Sequence, residues 1–349
     1  MEKIEQLLDE GKFSEALKLI LGMEVSDGEK ACFLFFRAEA RRGLGFFEEA
    51  LKDYAAAQEC CEEDELLLDI LLCTARCARA LGREEETAAA AVAAVALSEE
   101  LEMKQNDALL EQALSLRLSG QLDEAEKTLK KILKNYKKEI DHSGESFVFW
   151  SLGGLYRLQG KYKEGIKAFE QSLEAANLGK DKEAAGYALF GLGGICRVAG
   201  FMGRALESYM KAKKIFAKTD DNFAKAYVEC GSSNVLRQLG RLDAAWEGYE
   251  RAHALYSGIE DWADLGFVEW GMGEICRRNG EFREADRHYK SAAKLFKGRA
   301  EPRGEALVML SQAQLLYLTG KTEKAEEAHA AAMEHIRRHG LHTHLETFT

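Results

Sequence analysis

Five arginines stand forty residues apart along the chain: Arg117, Arg157, Arg197, Arg237 and Arg277. A planar guanidinium with five donors suits bidentate binding of carboxylates or phosphates, and it also stacks on aromatic faces. Bulky groups precede these arginines at positions ten and seven residues back. They are Phe147 and Trp150, Tyr187 and Phe190, Tyr227 and Cys230, then Phe267 and Trp270. Three residues before each arginine stand Gly154, Gly194, Asn234 and Glu274. On a helix, residues at i, i+3, i+7 and i+10 fall within about a quarter-turn of one another. The arginines therefore form a ladder along one stripe. Arg117 opens it in a repeat that carries Asp107 and Leu110 at the aromatic positions, and Tyr317 ends it.

The elements that carry this stripe recur with the same period. FVFWSLGGLYRLQG (147–160), YALFGLGGICRVAG (187–200), YVECGSSNVLRQLG (227–240) and FVEWGMGEICRRNG (267–280) each read as one helix. Closing glycines fall at 120, 160, 200, 240, 280 and 320, where a left-handed residue ends the helix without a Cβ clash. A second amphipathic run follows each, as in GKYKEGIKAFEQSLEAA and GEFREADRHYKSAAKLF. Earlier glycines at 11, 45 and 82 begin similar but less regular runs. Asp64, Ser143, Asp181, Asp221, Asp261 and the Glu301-Pro302 pair are expected at helix starts. The small residues Gly153, Gly193, Ser233, Gly273 and Ala313 imply close approach of a partner helix, because a mid-helix glycine costs roughly 1 kcal/mol against alanine. The whole reads as eight to nine antiparallel helix pairs in a single solenoid over 1–349. Residues 1–100 are less regular, 101–339 carry the forty-residue repeat and 340–349 form a tail.

The pattern Leu152-Gly153-Tyr156-Gly160-Tyr162-Gly165-Phe169 resembles the tetratricopeptide repeat, as does Leu192-Gly193-Cys196-Gly200-Met202-Ala205-Tyr209-Ala212. Ser233-Leu236-Gly240-Leu242-Ala245-Tyr249-Ala252 and Gly273-Cys276-Gly280-Phe282-Ala285-Tyr289-Ala292 continue it, and the match is weakest over 83–110. Two departures stand out: the period is forty rather than about thirty-four, and charged loops such as Gly179-Lys180-Asp181 replace the closing proline. This longer variant resembles the repeats of the LGN/Pins adaptors and, more loosely, of kinesin light chains. The resemblance implies an all-α, right-handed superhelix whose first helices line a concave groove that holds peptide segments. It also places the arginine stripe on that groove. Asn234 occupies the position where family members commonly hold a ligand's backbone, but glycine or glutamate replaces it in the other copies.

Composition narrows the function. The 349 residues are 46% hydrophobic with a single proline, Pro302, which favours helices over sheets. A net charge of −11 disfavours nucleic acid and anionic membranes. No apolar stretch suffices for membrane insertion, and the start MEKIEQLLDEGKFSEAL does not read as a signal peptide. Eight cysteines are too few for a disulfide scaffold, so reduced thiols and a cytoplasmic location are expected. GLGG (191–194) and GMGE (271–274) lie inside helices and do not read as phosphate loops. Cys60, Cys61, Cys73 and Cys77 read as small hydrophobes rather than metal ligands. His329, His335, His339, His342 and His344 read as the end of a capping helix stopped by Gly340. No catalytic set, cofactor motif or metal site emerges.

The expectation is a non-catalytic scaffold that takes an acidic, partly apolar peptide segment of a partner protein. Its candidate contacts are Arg117, Phe147, Trp150, Arg157, Tyr187, Phe190, Arg197, Tyr227, Asn234, Arg237, Phe267, Trp270, Glu274 and Arg277. First helices about 10 Å apart would meet an extended ligand rising about 3.3 Å per residue at every third side chain. A receptor or carrier for a small anionic aromatic or lipid ligand is the alternative. Two structural readings stand beside these: arginines paired with carboxylates of neighbouring repeats, and aromatics packed between first helices.

Overall fold

The computed structural model describes residues 1–23, 25–259, 261–299 and 301–341. Among them are eighteen α-helices and no strand. In chain order they are α1 (Glu2–Asp9), α2 (Phe13–Leu21), α3 (Lys30–Gly43), α4 (Phe47–Glu59), α5 (Asp64–Ala80) and α6 (Glu84–Glu100). Next come α7 (Gln105–Leu118), α8 (Leu122–Glu139), α9 (His142–Leu158), α10 (Tyr162–Leu178), α11 (Lys182–Val198) and α12 (Met202–Phe216). The last six are α13 (Asn222–Gln238), α14 (Leu242–Gly258), α15 (Trp262–Arg278), α16 (Phe282–Phe296), α17 (Pro302–Leu318) and α18 (Thr322–Arg338). Odd and even helices pair, and successive odd helices also touch, as α11, α13, α15 and α17 do. The result is a helical solenoid of antiparallel pairs. Compact packing divides the chain into two units, Met1–Ser151 and Leu152–Thr349, with the division inside α9.

Local chemistry sets the helix ends. Side chains of Asp181, Asp221 and Asp261 accept from the backbone N–H three residues on, at 2.9, 2.8 and 3.1 Å. Each such cap is worth about 1 kcal/mol. Two expected starts are displaced. Asp141 rather than Ser143 caps α9, accepting from Gly144 at 2.9 Å, and Glu63 precedes Asp64, which is the first helical residue of α5. Pro302 takes the first position of α17, where its missing N–H is harmless. At the other end of α11, Gly200 adopts φ +86° while Phe201 N–H reaches Cys196 O at 2.8 Å. That left-handed step closes the last turn and reverses the chain. The other closing glycines share the sign of φ.

In the first unit, the core is built around Ile20, Leu34, Tyr54, Ile70 and Leu72, and arginines there meet carboxylates. Arg37 and Arg41 converge on the buried Asp53 at 2.7 and 2.5 Å, and Arg76 holds Glu111 at 2.9 Å. In the second unit, aromatics of the even helices are wedged between glycines of successive odd helices. The Tyr209 ring lies 3.0 Å from where a Cβ on Gly193 would stand and 2.5 Å from one on Gly231. The Phe169 ring lies 2.8 Å from a Cβ on Gly153 and 2.1 Å from one on Gly191, and the Tyr249 ring 2.5 Å from one on Gly271. A side chain at these glycines would displace the ring, which explains why helix-weakening residues recur at mid-helix.

Candidate functional site

The tyrosines packed against these glycines present their hydroxyls to the arginine stripe. On α15 the Arg277 guanidinium donates to Glu274 at 2.8 Å, and the Tyr289 hydroxyl from α16 donates to the same carboxylate at 2.6 Å. Ser311 of α17 adds a third donor at 2.9 Å. Burial alone would raise the Glu274 pKa, but the hydrogen bonds from Arg277 and Tyr289 outweigh it and hold the carboxyl below its ordinary value. Arg277 is therefore neutralised within its own repeat.

One repeat earlier the centre changes from carboxylate to amide. Tyr249 donates to Asn234 Oδ1 at 2.9 Å, and Arg237 Nε donates to the Tyr249 hydroxyl at 3.1 Å. The Arg237 guanidinium lies 4.8 Å from the Trp270 ring centroid and is 2% exposed. Trp270 is itself buried and donates its indole N–H to Ser311 at 2.9 Å.

Two repeats earlier, Gly194 supplies no side chain at all. Around it stand Arg197 of the same helix, the Tyr209 hydroxyl and the Arg157 Nη1 of α9. The Arg157 pKa is drawn down to about 10, first by burial and then by the charges of Arg303 and Arg197. Arg197 is lowered too, again by burial first, with Arg237 and Arg303 adding to it. Arg157 stays protonated near neutral pH. The residue three positions before each arginine thus changes along the second unit's odd helices, from the Glu274 carboxylate to the Asn234 amide to Gly194.

The aromatic members of the stripe make contacts within the protein. Tyr187 donates to Asp221 at 2.6 Å and packs its ring 5.2 Å from Phe216. Tyr227 donates to Asp264, and Phe190 packs 5.5 Å from Tyr227. Phe267 lies under the Arg303 guanidinium at 4.6 Å. In the first unit Phe147 is 42% exposed, with its ring 5.8 Å from Trp150, and Arg117 is partly buried on α7. The stripe's sequence pattern did not disclose the tyrosine hydroxyls or Arg303. Tyr209, Tyr249 and Tyr289 do share the forty-residue period, and that was the available signal. Arg303 lies outside the ladder's register and carried none.

Three tandem matches to the tetratricopeptide repeat cover residues 104–178, 145–218 and 222–298, together more than half of the chain. The chain belongs to the tetratricopeptide repeat family. A comparison with curated protein sequences finds no match. Among solved structures, a Rap protein complexed with competence and sporulation factor is similar at TM-score 0.69 and 18% identity, over 83% of this chain and 82% of that one. The apo form of RapI is similar at 0.56 and 16%, over 76% and 97%. Aspartyl phosphate phosphatase F from Bacillus subtilis is similar at 0.60 and 14%, over 78% and 71%. At these identities the likeness is one of fold.

Elsewhere on the tetratricopeptide scaffold, Cys73 and Cys77 are buried, while Cys60 is exposed. The His335 and His339 rings lie 4.6 Å apart, and His335 contacts the Pro302 carbonyl at 3.1 Å. His342, His344 and the rest of the expected tail from 342 onward lie outside the described residues. No described helix is long and apolar enough to cross a membrane.

Proposed function

We propose that this tetratricopeptide chain is a non-catalytic scaffold whose odd-helix face binds an acidic, partly apolar segment of a partner protein. The observation that carries the reading is the pair of donors beside Gly194. Glu274 accepts from Arg277, whereas a Cβ on Gly194 would stand 3.6 Å from both Arg157 Nη1 and the Tyr209 hydroxyl, donors of the kind a ligand's carboxylate takes. Arg157, Arg197 and Arg237 would be the charge contacts, with Tyr187, Phe190, Tyr227 and Asn234 beside them. Arg117, Phe147 and Trp150 hold the matching stripe in the first unit, and the exposed Phe147 ring suits an apolar neighbour. Reading residues 1–349 as one continuous array belongs to the same proposal. That a Rap protein of similar fold was solved with competence and sporulation factor fits a ligand-holding role.

The test is selection from a display library of random peptides, followed by affinity measurement of the selected peptides. Acidic peptides with interleaved aromatic or aliphatic residues should be enriched. Their affinity should fall at least tenfold on Arg157→Ala or Arg197→Ala and weaken as salt rises. Enrichment without an acidic bias would overturn the reading, as would unchanged affinity in both variants.

A second reading, a receptor for a small anionic aromatic or lipid molecule, draws on Arg303. Its charge is felt at Arg157 and Arg197, although α17 lies four helix pairs beyond α9 in sequence. Native mass spectrometry of the purified chain tests it, since such a ligand would add a discrete mass.

A further inference from the structure

We propose that the groove between α12 and α14, floored by α13, docks one aromatic side chain of an acidic segment of a partner protein. This site lies on the even-helix side and does not rest on the odd-helix reading.

The groove is a half-open cavity of about 340 Å³. Leu206 and Met210 of α12, Leu236 of α13, and Ala244 and Gly248 of α14 give it an apolar interior, and Met210 is 49% exposed. A cavity of about 150 Å³ lined by apolar side chains holds a benzene ring, so this one has room for an indole. At one end the buried Glu229 carboxylate accepts from Arg251 at 3.2 Å and pairs with Lys213. Arg241 lines the groove as an exposed residue at the start of α14, about 15 Å along the helix from Arg251.

Both flanking grooves are bridged by the chain's own side chains. Between α14 and α16, Trp246 stands edge-on to His288 with centroids 5.8 Å apart and packs against the cluster of Cys276, Ala285 and Tyr289. Between α10 and α12, Glu170 pairs with Arg204. Forty residues away in the repeat, the counterparts of Trp246 and His288 are Leu206 and Gly248, and those of Glu170 and Arg204 are Met210 and Ala244. The α12–α14 groove therefore carries neither the aromatic nor the ion pair that spans its neighbours.

Packing explains how the space is kept. A Cβ on Gly248 would stand 2.1 Å from Ser233 Oγ, a buried hydroxyl that donates to the Glu229 carbonyl at 2.7 Å. One repeat later the bulk is exchanged: Gly273 stands on the odd helix, and a Cβ there would lie 3.2 Å from His288 Cβ on the even one. Serine on the odd helix with glycine on the even helix leaves the outer volume unfilled.

The lining selects the occupant. About 340 Å³ is near the bottom of the range of about 300–1,000 Å³ for small-molecule pockets, which suits a single side chain. Trp246 shows that an aromatic ring fits a groove of this kind, and guanidinium groups stack on such rings and bind carboxylates. The lining cations Lys213, Arg241 and Arg251 stand against the carboxylates Glu229 and Glu247, a local positive excess in a chain of net charge −11. An acidic segment is thus attracted here against the repulsion of the chain as a whole.

The probe is the peptide acetyl-Asp-Asp-Trp-Asp-amide, titrated into protein labelled with ¹³C at its methionine methyls, the Met210 signal being assigned through Met210→Leu. A docked indole should move that signal upfield saturably. The same peptide with alanine in place of tryptophan, or lysines in place of aspartates, should not move it. Arg241→Glu should weaken binding at least fivefold. Leu206→Trp, which supplies the ring from the chain as at position 246, should start shifted and ignore the peptide. Arg157→Ala should leave the response as it is, which separates this site from the odd-helix face. An unmoved Met210 signal in the wild type overturns the site, whether or not any variant folds. Equal responses to the aspartate and lysine peptides, or wild-type affinity in Arg241→Glu, also overturn it. If indole-3-propionate saturates the shift at the same concentration as the peptide, the groove takes a small molecule and the protein-segment proposal falls. Loss of the response in Arg157→Ala would put the peptide on the odd helices and overturn the groove while the odd-helix reading stands.

Discussion

The Tyr289 hydroxyl donates to Glu274 Oε1 at 2.6 Å, a bond between an even helix and the odd helix before it that Tyr54 repeats with Glu39. Glu274 is 6% exposed and serves Arg277 and Ser311 as well. Glu274→Ala leaves one cation and two hydroxyls without their acceptor and should cost about 3 kcal/mol, the scale of breaking a buried pair. Glu274→Gln keeps an acceptor for the hydroxyls and should cost roughly half as much. Because the Glu274 pKa is held low in the folded state, its contribution is present above the unfolded value of about 4.3 and is lost as pH falls through the folded one. Thermal melts at pH 7 and pH 3 check both points: the gap between wild type and Glu274→Gln should shrink at the lower pH.

Gly231 and Gly203 are both helical, yet alanine should act on them with opposite sign. A Cβ on Gly231 would lie 2.5 Å from the Tyr209 ring, whereas one on Gly203 meets nothing within 4 Å. Gly231→Ala must move the ring or the helix, and overpacking of this kind costs about 1–3 kcal/mol. That exceeds the gain in helix propensity of about 1 kcal/mol. Gly203→Ala receives the propensity gain with no clash and should be stabilising by about 0.5–1 kcal/mol. Denaturant midpoints of the two variants decide it, and equal signs would refute the wedge account.

These contrasts also mark what a sequence can disclose. The helix pairs, the closing glycines and the arginine stripe were legible because each rests on local periodicity within one helix. Gly193 was legible for the same reason, since a recurring mid-helix glycine demands a close neighbour. The second series, Gly191, Gly231 and Gly271, serves the ring of the preceding pair, and nothing local separates it from the first. What balances each arginine was out of reach, because Tyr209, Tyr249 and Tyr289 arrive from another helix. Ser143 and Asp141 differ by two residues, and either could cap α9 on chemistry alone; backbone geometry chose Asp141.

Asp264 should make the second unit less stable in alkali. Its pKa is raised above the usual carboxylate range, first by burial and then by the Asp261 carboxylate, against the opposing hydrogen bond from Tyr227 and the Arg303 charge. Between the unfolded value of about 3.9 and the raised folded value, the folded state therefore binds more protons than the unfolded one. Stability from this group falls as pH rises across that window. Asp264→Asn still accepts from Tyr227 but cannot ionise, so its stability relative to wild type should climb from pH 5 to pH 8. Melts at constant ionic strength read the difference, and a flat difference across that range would contradict the raised pKa.

Arg237 and Arg277 occupy the same rung position but should respond differently to lysine. Arg237 stacks 4.8 Å from the Trp270 centroid and donates Nε to Tyr249 at 3.1 Å, so lysine would keep the charge and lose the plane and the Nε donor. The expected cost is about 1–2 kcal/mol, with a change in Trp270 emission as the cation leaves its face. Arg277 pairs with Glu274 on the same helix, and a lysine ammonium can replace one of its two contacts, so Arg277→Lys should cost about 0.5–1 kcal/mol. A double-mutant cycle between Arg237→Lys and Trp270→Leu isolates the stack and should return a coupling of about 1 kcal/mol. Additive effects would mean that Trp270 supports α15 through packing and Ser311 alone, with no energetic link to the ladder.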